Sequence, residues 1–329
     1  MLRKIIYHKA HEGHKEHKDY FCLFRHCRSR PSGDPTPQNE YSRNKLLSVF
    51  FVLSVSCVIH FSVAAQATPQ WLTLPPTPTL PNAERSFYAP VNGIKLWYAC
   101  FGGGPDVLLI HGGLANANYW GLQVPVLARR YHVCVMDSRG HGRSTRDARP
   151  FGYDLMADDV LGLMDFLHIR RAALVGWSDG AIIGLDIAIH HPGRLSGLFA
   201  FAANSDPSGV KDSAKSPVFR GYIARAAGEY RALSPTPDQF PAFLAQIEKM
   251  WADQPHFSAA ELHGITVPTW IVDADHDEAI ERANTLFMAD AIPGAGLLIQ
   301  PEVSHFSFLQ DPGQFTADVM HFLGRFGVR

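Results

Sequence analysis

The pentapeptide Gly176-Trp177-Ser178-Asp179-Gly180 constrains this chain more than any other feature. It fits the pattern G-x-S-x-G, and its setting is specific. An apolar run at 172–175 ends just before it, and a helical pattern at 182–189 begins just after it. A strand must therefore turn into a helix within a few residues. Glycines permit so sharp a turn without side-chain clashes, and the turn lifts the serine hydroxyl clear of the backbone. The helix N-terminus behind it favours developing negative charge. Ser178 is on these grounds the candidate nucleophile. The competing reading is a plain strand-to-helix turn.

The surrounding sequence repeats the same rhythm. Residues 94–100 read as a strand, and the short apolar runs at 107–110 and 133–136 have the character of strands buried on both faces. Residues 153–167 carry a helical period in Leu155, Val160, Leu161, Leu163, Met164 and Leu167. Further strands are expected at 198–201, 270–272 and 297–299, and a last helix at 313–326. Such alternation implies an α/β fold, a mostly parallel sheet covered by helices. Residues 205–263 break the rhythm with helical patterns at 219–233 and 240–251. They read as a cap inserted over the C-terminal edge of the sheet, where open α/β sheets bind ligands.

A serine hydroxyl is a weak nucleophile at neutral pH and needs a base. Among the seventeen histidines, His305 alone falls after the last strand and before the last helix. His276 lies within the acidic loop itself, and His190 and His191 end a helix. Three aspartates, Asp273, Asp275 and Asp277, follow the strand at 270–272 and compete to orient the base. Asp273 reads as strand end, and Asp275 could instead cap loop N–H groups. Acyl transfer also needs donors for an oxyanion. The loop Ile110-His111-Gly112-Gly113-Leu114 supplies one candidate in the N–H of Gly113, and the N–H of Asp179 supplies another. Trp177, Leu114 and the Asp179 side chain are candidate substrate contacts. His111 reads as structural, and the loop 137–144 as scaffold. Phe219, Tyr222, Phe240, Phe243 and Trp251 of the cap are candidate pocket residues, although core packing explains them equally well.

The formal net charge is −1, which excludes nothing about small-molecule chemistry and gives no support to nucleic-acid binding. The charge is unevenly spread: residues 1–45 hold ten Lys and Arg against five Asp and Glu. That polar stretch reads as a disordered basic extension. His8, His11, His14 and His17 recur within it, but the three-residue step suits no single-face metal site. Residues 46–67 read as a signal peptide, with an apolar run after Arg43 and Lys45 and a cleavage-like Ala65-Gln66-Ala67. A membrane anchor over 46–63 is the alternative. Export to the periplasm or the exterior follows from the first reading. Residues 68–83 are rich in proline and threonine and read as an extended, semi-rigid linker, with the folded domain at 84–329. No metal or other cofactor is called for.

Taken together, these segments resemble the α/β-hydrolase superfamily from about residue 91 to 326. The His-Gly-Gly loop, Asp137-Ser138-Arg139-Gly140-His141-Gly142-Arg143-Ser144, the serine pentapeptide, the Asp275-His276-Asp277 loop and Ser304-His305-Phe306 occur in family order. The resemblance implies that order nucleophile, acid, base, and so favours Asp277 as the acid with Asp275 in reserve. It implies a serine hydrolase cleaving a small carboxylic ester. Lactone opening and C–C bond hydrolysis are the near alternatives, and a non-catalytic ligand-binding protein on the same scaffold is the distant one. Enzymes of the superfamily with an aspartate nucleophile are disfavoured by Ser178 and by the lack of H-G-x-P. The pentapeptide is similar to that of the α-amino-acid ester hydrolases of the valacyclovir hydrolase type, which implies a substrate-ammonium contact for Asp179. Helix capping would explain that residue as well. Ala274 departs from the glycine that is frequent there. The fold also implies that Cys100 and Cys134 lie on adjacent strands. A disulfide is conceivable, but two buried free thiols are the expected state, because neighbouring strands seldom offer disulfide geometry.

Overall fold

The computed structural model describes residues 68–82 and 85–326. The basic extension at 1–45, the apolar segment at 46–67 and the end of the linker lie outside the described residues. No helix among the described residues is long and apolar enough to cross a membrane.

Eight strands form one sheet in the order β1-β2-β4-β3-β5-β6-β7-β8. They are β1 (Arg85–Val91), β2 (Ile94–Phe101), β3 (Asp106–Ile110), β4 (His132–Met136), β5 (Ala172–Trp177), β6 (Leu195–Phe201), β7 (Thr269–Ala274) and β8 (Gly296–Gln300). The pairings β1·β2 and β2·β4 are antiparallel and the rest parallel. The central strands are apolar on both faces because helices cover both. Val107, Leu109, Ala173, Leu174 and Val175 are fully buried. The strand β1 was not anticipated. Its signal was the Asn92-Gly93 pair, a two-residue hairpin turn in which both residues take positive φ.

Parallel strands share one C-terminal edge, and this is what gathers distant loops into one site. β3 delivers the His-Gly-Gly loop there, β5 delivers Ser178, β7 the aspartate loop and β8 the His305 loop. Over this edge sit the helices Pro217–Leu233 and Phe240–Asp253, in the expected cap region. The Tyr222 hydroxyl donates to the carbonyl of Gly113, and the Trp251 indole donates to Asp179, so the cap is pinned directly to the loops beneath it.

One expectation changes. Cys100 and Cys134 form a disulfide rather than two free thiols. They are directly opposite in the antiparallel pair β2·β4, with Cα atoms 4.2 Å apart. That is the narrow spacing of a non-hydrogen-bonded pair, where side chains on the two strands come closest. His132 Nε2 lies 3.8 Å from Cys134 Sγ, but both sulfurs are spent in the bond. The proline-rich segment runs along the domain and is held by side chains of it. Arg225 of the cap donates to the carbonyls of Leu74 and Pro75 at 2.8 and 2.6 Å, and Gln310 donates to that of Thr73 at 2.8 Å. Trp71 stacks on His276 with ring centroids 4.0 Å apart. An extended chain leaves its carbonyls unpaired, and these side chains satisfy them.

Candidate active site

Ser178 takes φ 54° and ψ −119°, between the end of β5 and the helix Asp179–His190. A non-glycine residue in that region is strained, and strain of this kind persists only where the surroundings enforce it. The enforcement is visible in the packing. A Cβ on Gly180 would lie 2.2 Å from the carbonyl oxygen of Ile110, so the helix can approach β3 only without a side chain there. A Cβ on Gly113 would lie 2.5 Å from Asp179 Oδ2 and 2.5 Å from the Trp251 ring. The His-Gly-Gly loop is thus pressed against the start of the serine helix. The N–H groups of Gly113 and Asp179 make no hydrogen bond among the described residues.

His111 holds that loop from below. Its Nε2 accepts the N–H of Ser138 at 2.9 Å, which leaves the proton on Nδ1 to donate to the Gly112 carbonyl at 2.7 Å. Burial lowers its pKa and keeps the ring neutral. The loop 137–144 is scaffold in the same sense. Asp137 accepts N–H groups from Ala117 and Arg143, both at 2.7 Å, and buried Arg139 forms a two-pronged pair with Asp159 at 2.8 Å.

Among the three aspartates, the structure brings Asp277 to His305. The His305 Nδ1 to Asp277 Oδ2 distance is 2.8 Å, and both side chains are buried. The other oxygen of Asp277 accepts the N–H groups of Ala279 and Ile280 at 2.7 and 2.8 Å. Burial acts to raise the Asp277 pKa, but the His305 charge and these donors outweigh it and hold the carboxyl below its usual range. For His305, burial opposes the charged ring, yet the Asp277 carboxylate prevails and the pKa stands above its ordinary 6.5. Asp275 instead accepts the N–H of Glu302 at 3.0 Å, tying two loops together. Asp273 takes the hydroxyl of Thr285 at 2.8 Å, and burial beside Asp277 pushes it up to about 7.

Ser178, His305 and Asp179 line one cavity of about 70 Å³, together with the cap residues Phe219 and Trp251. Ser178 Oγ makes no hydrogen bond among the described residues. Contacts of this kind are often long before substrate binds and tighten in the reactive complex. The Asp179 carboxylate accepts from the Tyr153 hydroxyl at 3.0 Å and from the Trp251 indole at 2.9 Å. Burial pushes its pKa up to about 6, against the pull of those two donors.

Two candidate substrate contacts do not line this cavity. Trp177 is not part of the cavity lining: it is buried beneath the serine, with Phe308 4.5 Å and His305 5.8 Å away between ring centroids. Strand alternation turns it to the face opposite the opening. Leu114 is also buried outside the lining. Of the five cap aromatics, Phe219 and Trp251 reach the cavity, whereas Tyr222, Phe240 and Phe243 pack within the cap and onto the loops. Tyr153, Gln254 and Asn204 line the cavity and were missed. Nothing local marks them, because they come from a helix start and from loops whose approach is decided by packing.

Residues 107–319 match the Alpha/beta hydrolase family. The chain belongs to that family. Among its relatives is a pimeloyl-[acyl-carrier protein] methyl ester esterase of Aeromonas hydrophila, 26% identical over 259 residues, covering 68% of this chain and 97% of that one. The serine hydrolase BPHL of Mus musculus is 25% identical over 262 residues, covering 75% and 89%. In fold, the chain is similar to the enol-lactonase from Burkholderia xenovorans LB400, with a TM-score of 0.58, 24% identity and coverage of 72% and 99%. A hydrolase acting on a small molecule is the common ground of this family assignment.

Proposed function

We propose that this hydrolase cleaves a small carboxylic ester through an acyl-enzyme intermediate. The observation that carries the reading is the buried Asp277–His305 pair at 2.8 Å, opening onto the same cavity as the strained Ser178. Ser178 Oγ attacks the carbonyl carbon while His305 Nε2 takes its proton, and the C–O bond to the alcohol breaks as the imidazolium returns that proton to it. Water repeats the sequence and frees the acid. Asp277 fixes the imidazole tautomer and stabilises the imidazolium. The N–H groups of Gly113 and Asp179 face the oxyanion, where each such donor contributes about 3 kcal/mol to lowering the barrier.

Replacing Ser178 by Ala should abolish turnover of short nitrophenyl esters and leave thermal unfolding near that of the parent. Turnover at the parental rate would remove Ser178 from the mechanism. A matched panel of esters, thioesters and lactones then separates ester cleavage from its near alternatives.

The substrate is further read as an ester bearing an amino group. Support comes from the Asp179 carboxylate, which lines the cavity and whose hydrogen-bond partners among the described residues are the neutral Tyr153 and Trp251 donors. A substrate ammonium would supply the missing positive charge. An α-aminoacyl ester should therefore exceed its des-amino analogue by about 10-fold or more in kcat/KM, a preference that Asp179→Asn erases. Equal use of the two esters by the parent protein would dismiss this specificity.

A further inference from the structure

A second carboxylate lies behind the Asp277–His305 pair, and the mechanism above does not use it. Glu278 Oε2 accepts the main-chain N–H of His305 at 3.0 Å, and its Oε1 accepts the Ser304 hydroxyl at 3.4 Å. Ser304 is held in turn by Gln310, whose Oε1 accepts the Ser304 N–H at 2.7 Å and whose Nε2 donates to Ser304 Oγ at 3.0 Å. Besides the Asp275–Glu302 tie, the loop after β8 is thus fastened to the loop after β7 twice at His305 itself. One is the ring of His305, through Asp277, and the other is its backbone, through Glu278. No salt bridge to Lys or Arg neutralises Glu278 among the described residues. Burial and the adjacent Asp277 charge push its pKa up. Ionising it there is costly unless positive charge appears nearby, and the group that becomes positive during turnover is His305.

Resting on the serine-hydrolase reading, we propose that Glu278 is a positioning residue of the site. Its carboxylate clamps the His305 main chain to the acid loop and offers a second negative charge to the imidazolium that forms as His305 takes the Ser178 proton. The other acidic groups around His305 are Asp277, which stays ionised, and Asp273 and Asp179, which burial pushes up to about 7 and about 6. Opposing them are Lys211, whose Nζ donates to the Asp277 main-chain carbonyl at 2.6 Å, and Arg282, 3.6 Å from Asp273. The cap residue facing the ring, Phe219, is uncharged. Glu278 therefore adds a second negative charge to that of Asp277 beside the ring.

The test is the pH dependence of labelling by a fluorophosphonate, which needs no knowledge of the natural substrate. In that reaction the Ser178 Oγ–phosphorus bond forms, fluoride leaves, and His305 takes the serine proton. Glu278→Gln keeps the acceptor for the His305 N–H and removes the charge. Its acid limb should move to lower pH by about 0.5–1 unit relative to the parent. Glu278→Ala loses both, and should label ~10-fold more slowly on the plateau as well. An acid limb in Glu278→Gln that coincides with the parent's, or a uniform slowing with no shift, would make Glu278 a simple strut and overturn the proposal. Ser178→Ala and His305→Ala serve as references. If either still labels, the serine-hydrolase reading itself fails, whereas if both are dead and the Gln limb has not moved, only the role of Glu278 fails.

Discussion

At the scale of single residues, the proposed chemistry turns on which proton His305 carries and when. In the proposed mechanism the His305 ring must be neutral to accept the Ser178 proton, and its pKa stands above 6.5 because Asp277 outweighs the cost of burial. The acid limb of kcat/KM should therefore lie above pH 6.5, as a pH profile on a nitrophenyl ester would show. Asp277→Asn should cost about 10⁴-fold in kcat, since an amide can hold the wrong imidazole tautomer. The same shifts couple folding to pH. Asp277 is depressed, so its contribution to stability is present above the unfolded value near ~4 and is lost as pH falls through its folded pKa. His305 is raised, so its contribution is complete below about 6.5 and fades as pH rises through its folded pKa.

Single residues also show where sequence reasoning stops. Ser178 was legible because its motif, its preceding strand and its following helix all agree. Asp277 was not separable from Asp275 by position alone, since both are loop carboxylates past the same strand. The choice is made by backbone: N–H groups of Ala279 and Ile280 receive Asp277, while that of Glu302 takes Asp275. Glu278 was invisible for the same reason, its partner being a main-chain N–H 27 residues away.

At the scale of elements, the cap is tied to the loops at the C-terminal edge of the sheet by Trp251 and Tyr222. The Trp251 indole donates to both oxygens of the buried Asp179, at 2.9 and 3.0 Å. Trp251→Phe keeps the bulk and removes the donor, leaving that carboxylate short of a partner. A loss of about 1–3 kcal/mol in stability is expected, measurable by urea unfolding. Stability equal to the parent's would mean that water replaces the indole at no cost. The helical identity of the cap was readable from its periodicity. Which of its aromatics reach the cavity was not, because facing the sheet and facing the cap interior leave the same apolar pattern on a helix.

At the scale of the whole molecule, one covalent link joins β2 to β4. The Cys100–Cys134 bond closes a loop with a sequence separation of 34, which restricts the unfolded chain by about 3–4 kcal/mol in the loop-entropy treatment. Denaturant unfolding with and without a thiol reductant should differ by roughly that amount. Coincident curves would show that the native state gains nothing from the link. The docked segment at 68–82 acts at the same scale, crossing the cap at Arg225 and the body at Gln310.

From its sequence alone, this protein was bound to form alternating strands and helices, to turn sharply at Ser178 and to carry an imidazole and a carboxylate past later strands. Those features depend on local periodicity and on glycine at tight approaches, which neighbouring residues specify. Only the tertiary structure decided that Asp277 meets His305, that Cys100 faces Cys134 across a narrow pair, that Trp177 lies under the site and that the proline-rich segment is held. Each depends on strand register or on partners far away in the chain, and a residue's neighbours in sequence carry no information about either.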